Sequence, residues 1–203
     1  MAMRSDHARL LQRVAAVIGP DSGYQAALGG RTCNAPVCRT RLRLTAAQWV
    51  AGLPALGEVL YLSGPLECGS RVALSPGVLV ESIELGPLLQ TRTLAAAGTI
   101  TPDGPREWVD CLGAADQVLA RLYLLPDTDY LAWDALQANA SPATEERALA
   151  APAAWRPVSA RLLRFRVRRL AGLYLLGAEV GIGTSSLGCE LAARIARDEV
   201  HSR

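Results

Sequence analysis

The chain has 203 residues, half of them hydrophobic, which suffices for the core of one domain of ordinary size. Its 21 basic and 19 acidic residues give a formal net charge of +2, so the charge balance does not indicate a nucleic-acid or membrane-surface protein. No window of about 20 residues is apolar and free of charge, and residues 1–19 lack the continuous apolar core of a signal peptide. Because the five cysteines form no regular framework, we expect a cytoplasmic protein.

The N-terminal part is predicted to contain two helices and one strand. Residues 5–18 carry apolar side chains at helical spacing, behind Ser5 as a cap. Residues 40–44 alternate polar and apolar side chains, which predicts a short strand with its arginines outward. A second helix is predicted to begin after a Thr45 cap and to end before Pro54, because proline interrupts a helix.

The middle of the chain is a run of short apolar or β-branched segments separated by Gly, Pro or Ser. Strands are therefore predicted at 56–63, 70–75, 77–85, 88–94, 106–113 and 116–126. The Pro-Asp-Gly of TITPDGPREW predicts a tight turn between two antiparallel strands, since proline fixes φ and glycine accepts a positive φ. A helix over residues 126–139 follows, with Asp127 or Thr128 as its cap.

Composition divides the chain into a main domain and a C-terminal segment. Residues 1–139 form the predicted main domain, residues 140–157 are linker-like and rich in Ala and Pro, and residues 158–203 are expected to pack on that domain. The chain is predicted to end in a helix with one apolar face, made of Leu187, Leu191 and Ile195. Helices, then strands, then a helix predict an α+β fold, an antiparallel sheet or sheets with packed helices.

The strongest charge feature is RLLRFRVRR, in which Arg164, Arg166 and Arg168 alternate with Phe165 and Val167. An extended chain would place the three guanidinium groups on one face, where they could bind a phosphate or a carboxylate. A solvated sheet face is the commoner cause of such a pattern. The three arginines are therefore an anion-binding candidate with a structural alternative.

Cysteine chemistry has one candidate. Cys33 and Cys38 are separated by four residues and lack a second Cys or His pair, so their spacing does not favour zinc. Cys68 is followed by Arg71, whose positive charge would favour the thiolate. No histidine lies nearby to act as a base, and a small apolar residue at a strand end is the simpler interpretation.

The remaining titratable residues form no clear acid–base pair. Glu58 lies in a predicted strand, either on its solvated face or partly buried. Glu107 and Asp110 point to opposite faces of another strand and are not distinguishable from surface charge. Cys111 and Cys189 are predicted to fill the core.

Two segments, LPALGEVLYLSGPLECGSRV (53–72) and GAADQVLARLYLLPDTDYLAWDALQA (113–138), resemble parts of the bacterial hemin-transport and hemin-degrading (HemS/ChuX-like) family. The resemblance covers roughly 45–138, where a helix, a Leu-Gly strand, hairpins, a final strand and an Asp-initiated helix come in the family's order. It implies a haem-utilisation-like α+β fold, haem as the cofactor and a homodimer.

The chain departs from the family at the iron ligand. The resemblance places Ser70 where the family has its proximal histidine, and no histidine lies between His7 and His201. Haem iron would then need Cys68, Tyr61 or a terminal histidine as its ligand.

The resemblance gives the basic residues of the family's pocket a loose counterpart in Arg71 or Arg92. The resemblance therefore implies a cytoplasmic hemin carrier whose arginines pair with the haem propionates. We expect no catalysis. A haem-degrading enzyme would need ligand and oxygen chemistry at the iron, and the sequence does not visibly supply it. The alternative is a binding or regulatory module that keeps the fold and has lost haem.

Overall fold

A computed structural model describes residues 37–65, 77–142, 155–181 and 183–201. The predicted helix at 5–18 and the predicted strand at 70–75 lie outside these ranges, as do residues 143–154 of the linker-like segment.

The described residues form an α+β structure on one mixed, mainly antiparallel sheet, which confirms the predicted fold class. Its strands are β1 (Cys38–Arg43), β2 (Gly57–Ser63), β3 (Val78–Val80), β4 (Thr93–Thr101), β5 (Gly104–Leu112), β6 (Val118–Thr128), β7 (Ser141–Pro142), β8 (Ser159–Leu170) and β9 (Leu173–Val180). The helices are α1 (Ala46–Gly52), α2 (Gly86–Leu89), α3 (Tyr130–Ala138) and α4 (Ser186–His201), with 3₁₀ turns at Leu53–Leu56 and Ile83–Leu85. The spatial order is β3-β9-β8-β2-β6-β5-β4-β1-β7, and the β3–β9 pair is parallel.

Helices cover the sheet on both sides. On what we call the first face, α1, α2 and α3 pack over the larger core cluster, which includes Trp49, Trp133 and Phe165. On the second face, α4 packs over a smaller cluster that includes Trp108 and Tyr123. Successive residues of a strand point to opposite faces, so the strand register assigns each side chain to one face or the other.

The predicted helix after Thr45 is confirmed as α1. The Thr45 side chain accepts a hydrogen bond from the Gln48 backbone amide at 3.2 Å, and the Gln48 side chain accepts one from the Thr45 amide at 2.8 Å, which is a capping box. The α-helix ends at Gly52, two residues before Pro54, and a 3₁₀ turn follows. Gly57 then turns the chain into β2 with a φ of +71°, a conformation that favours glycine.

Helix α3 is capped one or two residues later than predicted. Its N-cap is Asp129, whose carboxylate accepts from the Ala132 amide at 2.9 Å. Thr128 instead belongs to the end of β6, where its buried hydroxyl donates to the Glu58 carbonyl at 2.5 Å and accepts from the Leu125 amide at 2.9 Å. This long-range pairing with β2 keeps Thr128 out of the helix.

The predictions for 77–85 and 88–94 were only partly correct. Strand β3 ends at Val80 and a 3₁₀ turn follows, while residues 86–89 are helical, with Pro87 at the start of α2. Strand β4 begins at Thr93 and runs through the alanines to Thr101. Alanine has a low strand propensity, but Ala97 pairs with Trp108 and its small side chain accommodates that ring beneath α4.

The C-terminal segment contributes to the same sheet, because β8 lies between β2 and β9. The predicted final helix is confirmed as α4, and its predicted apolar face is correct for the buried Ile195 and for Leu191, which packs against the second-face cluster. It is wrong for Leu187, which is 61% exposed. The stripe of the helix that faces the sheet also includes Gly188, Ala192 and the largely buried Glu199.

Candidate functional site

The three arginines of the RFRVR segment lie on the second face, in β8. Arg164 pairs in register with Glu179, Arg166 with Gly177 and Arg168 with Leu175. This alternation follows from the extended conformation of residues 159–170.

Carboxylates of the chain itself engage the first two arginines. Nε of Arg164 lies 3.2 Å from an oxygen of Glu58, whose side chain is only 4% exposed. Arg166 binds Glu81 at 2.8 Å and Glu179 at 3.3 Å. Two of the three predicted anion-binding residues are therefore already neutralised within the sheet.

Arg168 has a different environment. It is exposed and makes no ion pair within the part of the chain that the structure describes. Four leucines lie on the same face of β3, β8 and β9, namely Leu79, Leu170, Leu173 and Leu175, and the first three are 41%, 55% and 37% exposed. We call Arg168 and these four leucines the arginine–leucine face.

The arginine–leucine face adjoins the point where the chain continues from residues 66–76. Residue Gly77 directly precedes β3, and its carbonyl accepts from the Tyr174 amide of β9 at 2.8 Å. Three predicted site residues, Cys68, Ser70 and Arg71, belong to 66–76 and lie outside the described residues.

Tyr61 lies on the first face, opposite to the arginines. It is 1% exposed, and its hydroxyl donates to the Glu84 carbonyl at 2.9 Å. Burial raises the pKa of Tyr61 well above its ordinary value, which keeps the hydroxyl neutral. An iron bound to this oxygen would have to enter the core and displace that hydrogen bond.

Arg92 is exposed at the start of β4, where its backbone amide donates to the Leu112 carbonyl at 2.8 Å. Strand β4 is four strands from β8 in the sheet, a separation of about 19 Å at the usual strand spacing. The structure therefore does not bring Arg92 together with Arg168.

Two clefts lie at the edges of the helical layers. The first, of about 270 Å³, includes Tyr61, Leu163 and Val180 in its lining and is crossed by an ion pair of 2.8 Å between Arg161 and Glu84. The second, of about 240 Å³, lies between α4 and the ends of β5 and β6. Each is below the roughly 300–1,000 Å³ of typical small-molecule sites, and too small to enclose a porphyrin.

A buried polar network lies under α4, also on the second face. Arg121 of β6 donates from Nε to Asp110 of β5 at 2.6 Å and from Nη1 to Glu199 of α4 at 2.7 Å. The Tyr123 hydroxyl makes a short hydrogen bond to the same Glu199 oxygen. Nε of Arg39 lies 3.6 Å from the other oxygen of Asp110.

Three aromatic rings surround the guanidinium of Arg121. Its carbon lies 5.2 Å from the ring centre of Trp108, 5.1 Å from that of Trp155 and 5.8 Å from that of Tyr123. Burial alone would lower the pKa of Arg121, but Tyr123, Asp110 and Glu199 together raise it above its ordinary value. Burial also raises the pKa of Tyr123, so its hydroxyl remains a donor.

Sequence reasoning missed this network, because the sequence alone does not distinguish Asp110 and Glu107 from surface charge. Both are buried, at 1% and 6% exposure, and they point to opposite faces as predicted. The available signal was Arg121 itself, a single charge inside the apolar run VLARLYLL, because the β5–β6 hairpin register pairs it directly with Asp110. The core prediction is correct for Cys111 and wrong for Cys189, which is exposed on α4.

Two negative findings concern metal ligands and membrane-spanning helices among the described residues. They contain no group of three or more His, Cys, Asp or Glu side chains that could hold a metal ion. No helix among them has both the length and the apolar character needed to cross a membrane.

Neither a scan against protein-family models nor a search of curated proteins finds a match. Among solved structures, the chain is similar to holo-PhuS, a heme-binding protein from Pseudomonas aeruginosa, with 17% identity over 57% of this chain and 37% of that chain, at a TM-score of 0.38. It is also similar to the heme-degrading enzyme ChuS from Escherichia coli O157:H7, with 15% identity over 61% of this chain and 41% of that chain, at a TM-score of 0.40. Both TM-scores lie below 0.5, and the chain spans about two fifths of the length of either neighbour.

Proposed function

We propose that the chain is a non-enzymatic haem-binding protein, a hemin carrier, and that it binds the macrocycle at the arginine–leucine face. Support comes from the sequence resemblance over 45–138, whose helix, Leu-Gly strand, hairpins and Asp-capped helix occur in that order in the structure. A cytoplasmic location and homodimerisation stay predictions.

The observation that carries the proposal is the environment of Arg168. An exposed guanidinium beside a patch of leucines suits a ligand with an apolar body and a carboxylate. Haem has this character, since its macrocycle is largely apolar and carries two propionates. In this arrangement Arg168 would bind a propionate and the four leucines would contact the macrocycle.

The role of Arg168 is tested by titrating the protein with hemin and with hemin dimethyl ester, which lacks the free propionates. Loss of a charge-assisted hydrogen bond, worth about 1.5–3 kcal/mol, predicts that Arg168→Ala weakens hemin binding at least tenfold and leaves binding of the ester unchanged. Arg43→Ala is the matched control, because Arg43 is exposed five strands away, about 24 Å. Equal affinities of the two variants for hemin would contradict the assignment.

We propose Cys68 as the iron ligand, with Ser70 and Arg71 beside it in the chain. Thiolate ligation has a distinct absorption spectrum, so Cys68→Ser should shift the Soret band of the hemin complex. Cys189→Ser removes an exposed thiol on α4 and should leave that band unchanged. A Soret band unaffected by Cys68→Ser would exclude the thiolate.

A further inference from the structure

In the contact between α4 and Arg121, a carboxylate of α4 meets a guanidinium and a hydroxyl held by the sheet, as a bound carboxylate ligand would. Asp110 of β5 accepts from Nε of the guanidinium, and the ring centres of Trp108 and Trp155 lie 5.2 and 5.1 Å from its carbon. Nη1 of Arg121 and the Tyr123 hydroxyl both donate to one carboxylate oxygen of Glu199, and Nη1 also lies 3.4 Å from the Tyr123 hydroxyl oxygen. Both donors thus converge on a single acceptor supplied by a separate element.

Helix α4 attaches to the sheet through a narrow apolar stripe and several polar contacts. The stripe consists of two small residues, Gly188 and Ala192, and two large apolar residues, the buried Ile195 and the partly buried Leu191. The other attachments are polar: Arg194 to Asp103 at 2.7 Å and Asp198 to Arg106 at 3.0 Å. Ion pairs with an exposed partner contribute little to stability, so we expect local opening of the last turns of α4 to cost less free energy than unfolding of the sheet.

At its other end, α4 is fixed by a second carboxylate. The Ser185 amide and hydroxyl both donate to Asp127 at 3.0 Å, and the Ser185 hydroxyl in turn accepts from the Gly188 amide at 3.1 Å. These bonds hold the first turn of α4, at the opposite end of the helix from Glu199. Displacement of the last turns of α4, with loss of the contacts of Glu199, Arg194 and Asp198, can therefore leave the first turn attached.

The surface beneath α4 is apolar and aromatic. Leu60, Leu125 and Trp108 are buried there together with the ring of Tyr123. A flat apolar ligand that replaced the last turns of α4 would bury the same groups. Its acid group would then meet the donors that Glu199 now occupies.

We propose that Arg121 and Tyr123, framed by Trp108 and Trp155, form a binding site for an aromatic carboxylate, and that Glu199 of α4 occupies this site as an internal competitor. The site lies under α4, whereas the arginine–leucine face lies on β3, β8 and β9, and the inference does not depend on haem binding. Glu199 thereby sets the affinity, because a ligand must displace it before it can bind.

The test is calorimetric titration of the full chain with sodium 2-naphthoate. Glu199→Gln weakens the internal competitor and should bind 2-naphthoate about tenfold more tightly than the unmodified protein. Glu190→Gln, the same change at an exposed position of α4, should bind like the unmodified protein. Uncharged 2-naphthamide should bind the variants and the unmodified protein with the same affinity. Equal 2-naphthoate affinities for Glu199→Gln and the unmodified protein would overturn the proposal.

A second measurement on the unmodified protein covers the case in which Glu199→Gln fails to fold. Saturating 2-naphthoate should speed amide hydrogen exchange of residues 195–201 at least several-fold, because the ligand displaces those turns, while exchange in β5 and β6 stays constant. Unchanged exchange in 195–201 would show that the carboxylate does not compete with Glu199, and would refute the proposal.

Discussion

The stability of the sheet under α4 is expected to depend on the charge of Asp110. The substitution Asp110→Asn removes the carboxylate that pairs with both Arg121 and Arg39 and leaves Arg121 with Glu199. The side chain of Asp110 is 2% exposed there and that of Arg121 is 8% exposed. Removal of one partner from a buried ion pair typically costs about 3–5 kcal/mol. Because asparagine keeps one carbonyl acceptor, we expect a cost near the lower end, about 3 kcal/mol.

The assay is urea unfolding followed by tryptophan fluorescence and far-UV circular dichroism. With a slope of about 2 kcal/mol per M urea, a loss of about 3 kcal/mol lowers the midpoint by about 1.5 M. The matched control is Asp116→Asn, since Asp116 binds Arg41 at a similar 2.7 Å but its side chain is 56% exposed. Its φ of +58° is one that asparagine tolerates, so the control should lower the midpoint by less than about 0.5 M. Equal midpoint shifts for the two variants would refute the view that burial makes the Asp110 ion pair contribute more to stability than the exposed Asp116 pair.

Two further predictions concern buried polar groups. Thr128→Val removes a hydroxyl that joins the Glu58 carbonyl to the Leu125 amide, so urea unfolding should show that the free energy of unfolding falls by about 2–3 kcal/mol. Thr128→Ser keeps the hydroxyl and should retain most of the stability. A Val variant as stable as the Ser variant would contradict this role. Burial raises the pKa of Tyr61 and of the Cys111 thiol above their ordinary values of 10.0 and 9.0, so only the unfolded chain ionises these groups readily. The free energy of unfolding should therefore be constant up to about pH 8.5 and fall above it, by up to about 1.4 kcal/mol per pH unit for each group, and equal values at pH 8 and pH 10.5 would argue against the buried placement.

Local signals in the sequence predicted the elements whose boundaries depend on neighbouring residues. The Thr45 capping box fixes the start of α1, and the Pro-Asp-Gly tripeptide fixes the β4–β5 turn, where Gly104 has a φ of +115°. Alternation in the RFRVR segment correctly predicts that Arg164, Arg166 and Arg168 share a face. Each signal spans only a few residues.

The remaining features depend on contacts between distant residues. The start of α3 at Asp129 follows from the bond between Thr128 and the Glu58 backbone, 70 residues away. The alanines of β4 are extended because they pair with β5, where Trp108 lies opposite Ala97. The Arg121 network joins four elements, β1, β5, β6 and α4, and Glu199 is 78 residues from Arg121, so composition and periodicity alone could not place them together.

The most direct test of the proposed function is the stoichiometry of hemin binding to the unmodified protein. Adding hemin to the purified apo-protein at micromolar concentration and recording the Soret region should give a saturable band that ends at one hemin per chain. A titration without a saturable band would contradict haem binding, and the alternative would then hold: a module that keeps the α+β fold and binds another partner.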